Sequence, residues 1–189
     1  IGYFVFGIDP TMTQQVASQF GGAGSQERGA VGTPEDQAGQ FVDVVGANIN
    51  DVWASKMNGY TPPKVVLYTQ GTGTQCGFGQ AAMGPFYCPN DSTVYLALSF
   101  WQTMETQLGA SKADFARAYV IAHEFGHHVQ TLTGASQKVR EAQQAARNQG
   151  DANEYSVALE LQADCYAGVW AASAPAVSGG EVALESNEF

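Results

Sequence analysis

The stretch 118–134, AYVIAHEFGHHVQTLTG, constrains this chain more than any other. Its apolar residues recur at helical spacing, and inside that period lies His123-Glu124-Phe125-Gly126-His127, an H-E-x-x-H pattern. Residues four apart lie on one face of a helix, so both imidazoles reach a single zinc ion. Glu124 sits between them, where its carboxylate touches a water bound to that ion. The pattern therefore asks the fold for a helix and for a further ligand brought from elsewhere.

A catalytic zinc keeps three protein ligands and an open fourth position. The chain has 3 histidines, all between positions 123 and 128, and His128 is turned about 100° from His127 around the helix. That turns attention away from a third histidine. The metzincin extension fails, because Gln130 and Thr133 stand where it needs Gly and His. A carboxylate or a thiolate is left. In SVALELQADCYAG, Glu160 and Asp164 are four apart and share a face with Val157, Leu161 and Gly168. Two acids in an otherwise apolar stripe are costly to bury unless a cation or hydrogen-bond donors meet them. Glu160 is thus expected to join His123 and His127 on the zinc; the plainer reading is an exposed acid. Asp164, one turn on, is placed to orient a ligand histidine through its second ring nitrogen. Cys165 projects from the adjacent face and reads as a small core residue.

Along the chain, residues 1–33 read as an extended and flexible N-terminal segment, 34–175 as the metal-binding domain and 176–189 as a loosely ordered tail. Thr33 as N-cap, Pro34, Glu35 and Asp36 open a helix over 34–57. Phe41, Val44, Val45, Ile49, Val52 and Trp53 form its apolar face. KVVLYT, 64–69, reads as a strand. The alternation over 93–100 predicts a half-buried strand, either an ordinary sheet member or an edge offered to an extended substrate. A short helix over 101–108 closes at Gly109. Ser111 with Asp114 reads as a capping box for the H-E-x-x-H helix, which Gly134 ends. A polar helix over 137–148 follows, with Lys138 in reach of Glu141. After a break at Gly150, Asn153 caps a last helix running to about Ala172. The class is α+β, mainly helical, with a small sheet beside the H-E-x-x-H helix.

At 189 residues with 44% hydrophobic content the chain is an ordinary single globule. A net charge of -10 speaks against nucleic acid and anionic membranes as partners. No apolar run approaches the roughly 20 residues that cross a bilayer. Cys76 and Cys88 bracket a Gly- and Pro-rich loop. They read as a disulfide worth about 3 kcal/mol in an exported protein, or as two free thiols in a cytosolic one. The loop otherwise lacks a means of holding its shape, which favours the bridge.

YVIAHEFGHHVQ and ELQADCYAGVWA, with CGFGQAAMGPFYCP and VYLALSFW, closely resemble the bacterial neutral zinc metallopeptidases of the YpfJ type. The resemblance spans roughly 8–172. It implies a zincin-like fold with a Glu-x-x-Ala-Asp element on a second helix, as in gluzincins. It also implies His123, His127 and Glu160 as zinc ligands, Glu124 as catalytic acid/base and Asp164 as the acid following the third ligand. Such proteins place the catalytic domain outside the cytoplasm behind an N-terminal membrane anchor. An extracytoplasmic location is therefore expected, with the membrane reached only through an anchor absent from this chain. Two features depart from the family: Ala97 stands where an acid is more usual, and the sequence stops soon after the second helix.

The expected activity is zinc-dependent hydrolysis of peptide bonds in peptide or protein substrates, with Glu124 taking the proton of a metal-activated water and passing it to the leaving amine. Tyr119, Tyr155 and His128 lie near the motifs, as cleft residues or as packing and hydrogen-bonding ones. The alternative is a zinc-stabilised, non-catalytic binding or scaffold protein. Glu124 speaks against it, since a structural site closes with four protein ligands and needs no adjacent base.

Overall fold

The computed structural model describes residues 37–177 apart from Gly109. Expectations for residues 1–33, for the helix start at 33–36 and for 178–189 lie outside the described residues. Among those described, the elements are α1 (Gln37–Lys56), β1 (Lys64–Tyr68), β2 (Gly71–Thr74), β3 (Gly77–Gln80), a 3-10 turn (Ala81–Met83), β4 (Phe86–Cys88), β5 (Thr93–Ala97), α2 (Leu98–Leu108), α3 (Ala110–Leu132), α4 (Ala135–Gln144) and α5 (Gln149–Val177).

Helix α1 buries Val42, Val45, Ile49, Val52 and Trp53, whereas Val44 points to solvent. One step around a helix is about 100°, enough to carry Val44 off the stripe that holds Val45. The chain leaves α1 through Gly59, whose positive φ of 79° allows the reversal without a side-chain clash.

Strand β5 is the centre of a three-stranded sheet ordered β1-β5-β4. It pairs parallel with β1, Val66 opposite Tyr95, and antiparallel with β4, Tyr87 opposite Val94. With both ladders taken it has no free edge for a substrate, and all five of its residues are buried. Val94 and Leu96 join Leu67 and Tyr87 on the helix side. Tyr95 and Ala97 join Val66, Tyr68 and Cys88 on the other. The half-buried strand over 93–100 is therefore corrected in length and in burial: it ends at Ala97, and Leu98 already begins α2.

Strands β2 and β3 form a separate antiparallel pair, and Cys76, in the turn between them, is bonded to Cys88 at the end of β4. Asp91 reinforces the join by accepting from the Gln75 backbone N–H at 3.1 Å and from the Tyr95 hydroxyl at 2.9 Å.

Helix α3 runs through the middle of the molecule, and every residue from 121 to 130 is buried. It lies against β4, β5, α1, α2 and α5, the position of a helix with no solvent face along that stretch. It begins at Ala110, so Ser111 falls inside it rather than at its cap, and Asp114 pairs with Arg117 at 3.6 Å instead. Gly134, at φ 77°, ends it as expected. The polar helix is shorter than predicted, ending at Gln144, and Glu141 takes its hydrogen bond from Gln137 rather than pairing with Lys138.

The cap of α5 is Asn148, whose side-chain oxygen accepts from the Asp151 backbone N–H at 3.0 Å; Gly150 and Asn153 lie within the helix. The helix also passes Ala172 and Pro175 to reach Val177. Its far end is held to α1, where the Trp170 indole donates to Asn48 Oδ1 at 2.8 Å and Asn48 Nδ2 donates to the Ala174 carbonyl at 3.3 Å.

Replacing both Cys76 and Cys88 by serine is expected to lower the unfolding free energy by about 2–3 kcal/mol through the released loop. Urea denaturation measures this; an unchanged midpoint would show that the hairpin is held without the bridge.

Candidate metal centre

The site exists because α3 and α5 touch backbone to backbone. A Cβ on Gly126 would lie 3.1 Å from the Ala163 carbonyl oxygen and 3.2 Å from the Ala163 Cα, so no larger residue fits the crossing as it stands. The third position of H-E-x-x-H is thus a packing residue, and α5 meets it through Ala163 and Ala167, both fully buried. Glu160, one turn before Ala163, is carried to the face where His123 and His127 sit.

There Glu160 Oε2 lies 3.3 Å from His123 Nε2 and 3.5 Å from His127 Nε2. One ligand-type atom from each of the three residues falls within 4.8 Å of the others, and among the described residues this is the one such group. The glutamate side chain is 12% exposed and the imidazoles less.

The outer nitrogens of the rings are held differently. His123 Nδ1 lies 2.9 Å from Asp164 Oδ1, which also accepts from the Tyr119 hydroxyl at 3.2 Å. A carboxylate only accepts, so His123 carries a proton on Nδ1, and Nε2 is the nitrogen that faces Glu160. Burial and the Asp164 carboxylate push the Tyr119 hydroxyl up to about 12, which keeps it a donor. His127 Nδ1 lies 2.8 Å from Gln130 Oε1.

The inner atoms differ: His127 Nε2, Glu160 Oε2 and Glu124 Oε2 are buried and have no hydrogen-bond partner among the described residues. Buried polar atoms are nearly always paired, and acceptors converging on one point are stabilised by positive charge there, a proton on an imidazole or a cation. The ionisation of these residues follows from the same geometry. Burial disfavours a charged His123, yet the Glu160 carboxylate 3.3 Å from its Nε2, the Glu124 charge and the Asp164 contact hold its pKa up at about 9. His127 is likewise raised against its burial, mainly by Glu160. Burial works to raise Glu160, but the two histidines bring it down to about 2. Glu124 goes the other way: burial raises it, and the histidines offset this only in part. Two imidazoles and one carboxylate meeting at one buried point match the ligand set of catalytic zinc.

Residues 1–187 match the family described as "putative neutral zinc metallopeptidase". The chain belongs to that family. It is 47% identical over 173 residues to the uncharacterized protein YpfJ of Escherichia coli K12, covering 89% of this chain and 58% of YpfJ. It is 45% identical over 130 residues to the uncharacterized protein Rv2575 of Mycobacterium tuberculosis H37Rv, covering 69% of this chain and 42% of that protein. The chain thus spans little more than half the length of YpfJ. No solved structure matches it.

Other residues of this metallopeptidase-family site fall differently from the sequence reading. His128 does not border a cleft: its Nε2–H donates to the Thr61 carbonyl at 2.6 Å, and its Nδ1 accepts from the Tyr87 hydroxyl at 3.0 Å. Burial lowers its pKa despite the Thr61 contact, so it is a neutral core histidine with both nitrogens committed. Cys165 is exposed and free, not a core residue. Leu161 and Gly168 are exposed too, which places Glu160 and Asp164 on the border of the buried face of α5 rather than within an apolar stripe. Tyr155 is exposed. In the sequence Gln130 stands out only where it breaks the metzincin extension, and its one local signal is an amide three residues after His127.

Gly126→Val is expected to force the two helices apart and to cost about 1–3 kcal/mol, the usual range for overpacking. Urea unfolding reads the loss; wild-type stability in this variant would contradict the close crossing.

Proposed function

We propose that this chain is the catalytic domain of a zinc-dependent endopeptidase, with Glu124 as its general base. The observation that carries the reading is the set of unpartnered buried acceptors, His127 Nε2, Glu160 Oε2 and Glu124 Oε2. His123, His127 and Glu160 would hold the ion. Bound there, zinc supplies Lewis acidity, polarising a carbonyl oxygen and easing loss of a proton from water.

The chain's own residues account for the remaining work. Glu124 follows His123 directly and lies outside the ligand group, and its Oε2 has no hydrogen-bond partner among the described residues, so it can take a proton from water. Burial raises its pKa, which makes it a stronger base than an exposed glutamate and, once protonated, a suitable acid for the departing amine. Asp164 and Gln130 hold the rings, and the buried surroundings of α3 keep competing water from the carboxylates. A non-catalytic zinc scaffold gives no reason to leave a buried carboxylate unpaired beside the ligands.

Peptides or proteins are the proposed substrates. The Cys76–Cys88 bridge supports a location outside the cytoplasm, where disulfides persist. No helix among the described residues is long and apolar enough to cross a membrane; attachment through an anchor elsewhere in the full-length protein is part of the proposal.

Two variants separate the roles. Glu124→Gln is expected to keep about one zinc per chain while peptide hydrolysis falls by roughly 10²–10⁴-fold. Glu160→Ala is expected to lose zinc affinity itself. Metal content and cleavage of a peptide library, with and without chelator, are the measurements. Zinc loss in Glu124→Gln, or full affinity in Glu160→Ala, would contradict the division.

A further inference from the structure

Gln130 is 0% exposed, yet it is a long polar side chain lying between α3 and α5, where an apolar residue would pack at less cost. All of its polar capacity toward those helices is used. Its Oε1 faces His127 Nδ1 at 2.8 Å, and its Nε2 faces the Leu159 carbonyl at 2.7 Å and Gln162 Oε1 at 3.2 Å.

These contacts fix one another. A backbone carbonyl can only accept, so the amide group of Gln130 must turn its NH₂ toward Leu159. Its oxygen is then the atom that meets His127, and the ring must carry its proton on Nδ1. The Nε2 lone pair is left facing Glu160. Leu159 immediately precedes Glu160, so the backbone that carries the third ligand also sets the tautomer of the second.

We propose that Gln130 is the positioning residue for His127, locking the ring as the Nδ1–H tautomer and aiming Nε2 at the point shared with His123 and Glu160. The proposal rests on the zinc reading above and deepens it. It also explains why the two rings have different supports. Asp164, on the half-exposed side, has a side chain 42% exposed. A carboxylate in the place of Gln130 would be fully buried against His127, adding a fourth negative charge to those of Glu124, Glu160 and Asp164 around one divalent ion. A neutral amide accepts the same hydrogen bond without that charge.

The test uses the full chain with Gln130→Met, which keeps length and removes both hydrogen-bonding ends, and Gln130→Glu, which keeps an acceptor for His127 and loses the donor to Leu159. Zinc affinity is read by competition with a chromophoric chelator, and the His127 Nδ1–H proton by NMR of the zinc-loaded protein. The methionine variant is expected to bind zinc about 10–100-fold more weakly and to lose the hydrogen-bonded Nδ1–H resonance. The glutamate variant is expected to retain that resonance and to bind more tightly than the methionine variant. Wild-type affinity in Gln130→Met overturns the proposal, as does equal weakening in both variants with the resonance unchanged. Should Gln130→Met not fold, loss of the resonance in Gln130→Glu overturns it and its retention supports it. A wild-type chain that binds no zinc sinks the zinc reading instead, a result distinct from either.

Discussion

Backbone contact between two helices comes before any chemistry here. Gly126 gives α3 a bare spot, and Ala163 lets α5 settle onto it at 3.1–3.2 Å from where a Cβ would stand. Only at that separation does a glutamate one turn away come within 3.3 and 3.5 Å of two imidazoles. The crossing is costly by itself, because it buries acceptors that have no hydrogen-bond partner among the described residues. Each such group costs on the order of 1–3 kcal/mol, against a total stability of about 5–15 kcal/mol for a typical domain. A fold keeps such a cluster where a cation offsets it, so ion binding and stability are linked.

Around this cluster the rest of the domain works to hold rings still. The paired histidines differ from the adjacent one in a way that single hydrogen bonds decide. His123 and His127 carry Nδ1 protons because Asp164 and the Gln130 oxygen accept them. His128 carries its proton on Nε2, because Thr61 offers a carbonyl there and Tyr87 donates to Nδ1. Neighbours in sequence thus hold opposite tautomers, and only the first pair keeps lone pairs for an ion. Tyr87 precedes Cys88, so the disulfide-tied sheet edge grips α3 one residue beyond His127.

What was legible in the sequence is what helical period alone dictates. Four-residue spacing placed His123 with His127 and Glu160 with Asp164, and the same spacing suggested that Asp164 would reach a ring. Alternation failed at Leu98, because a period of two fits the first residues of α2 as well as the end of β5. It also could not tell that β5 is flanked on both sides, since pairing is set by strands distant in sequence. Asn148 and Asn153 carry the same side chain, and which one caps α5 depends on where α4 stops. Val44 sits one helical step from buried Val45, and Cys165 two steps from buried Ala163 and Ala167, differences too fine for composition to resolve. Gln130 was silent for a deeper reason: its partners Leu159 and Gln162 lie on another helix, and no local pattern records a contact between helices.

X-ray absorption at the zinc edge of the metal-loaded chain tests the central arrangement most directly. Two imidazole nitrogens at about 2.0–2.1 Å with the remaining ligands oxygen, and no sulfur, is the expected result. A sulfur shell at about 2.3 Å, or a single imidazole, would contradict a site built from His123, His127 and Glu160.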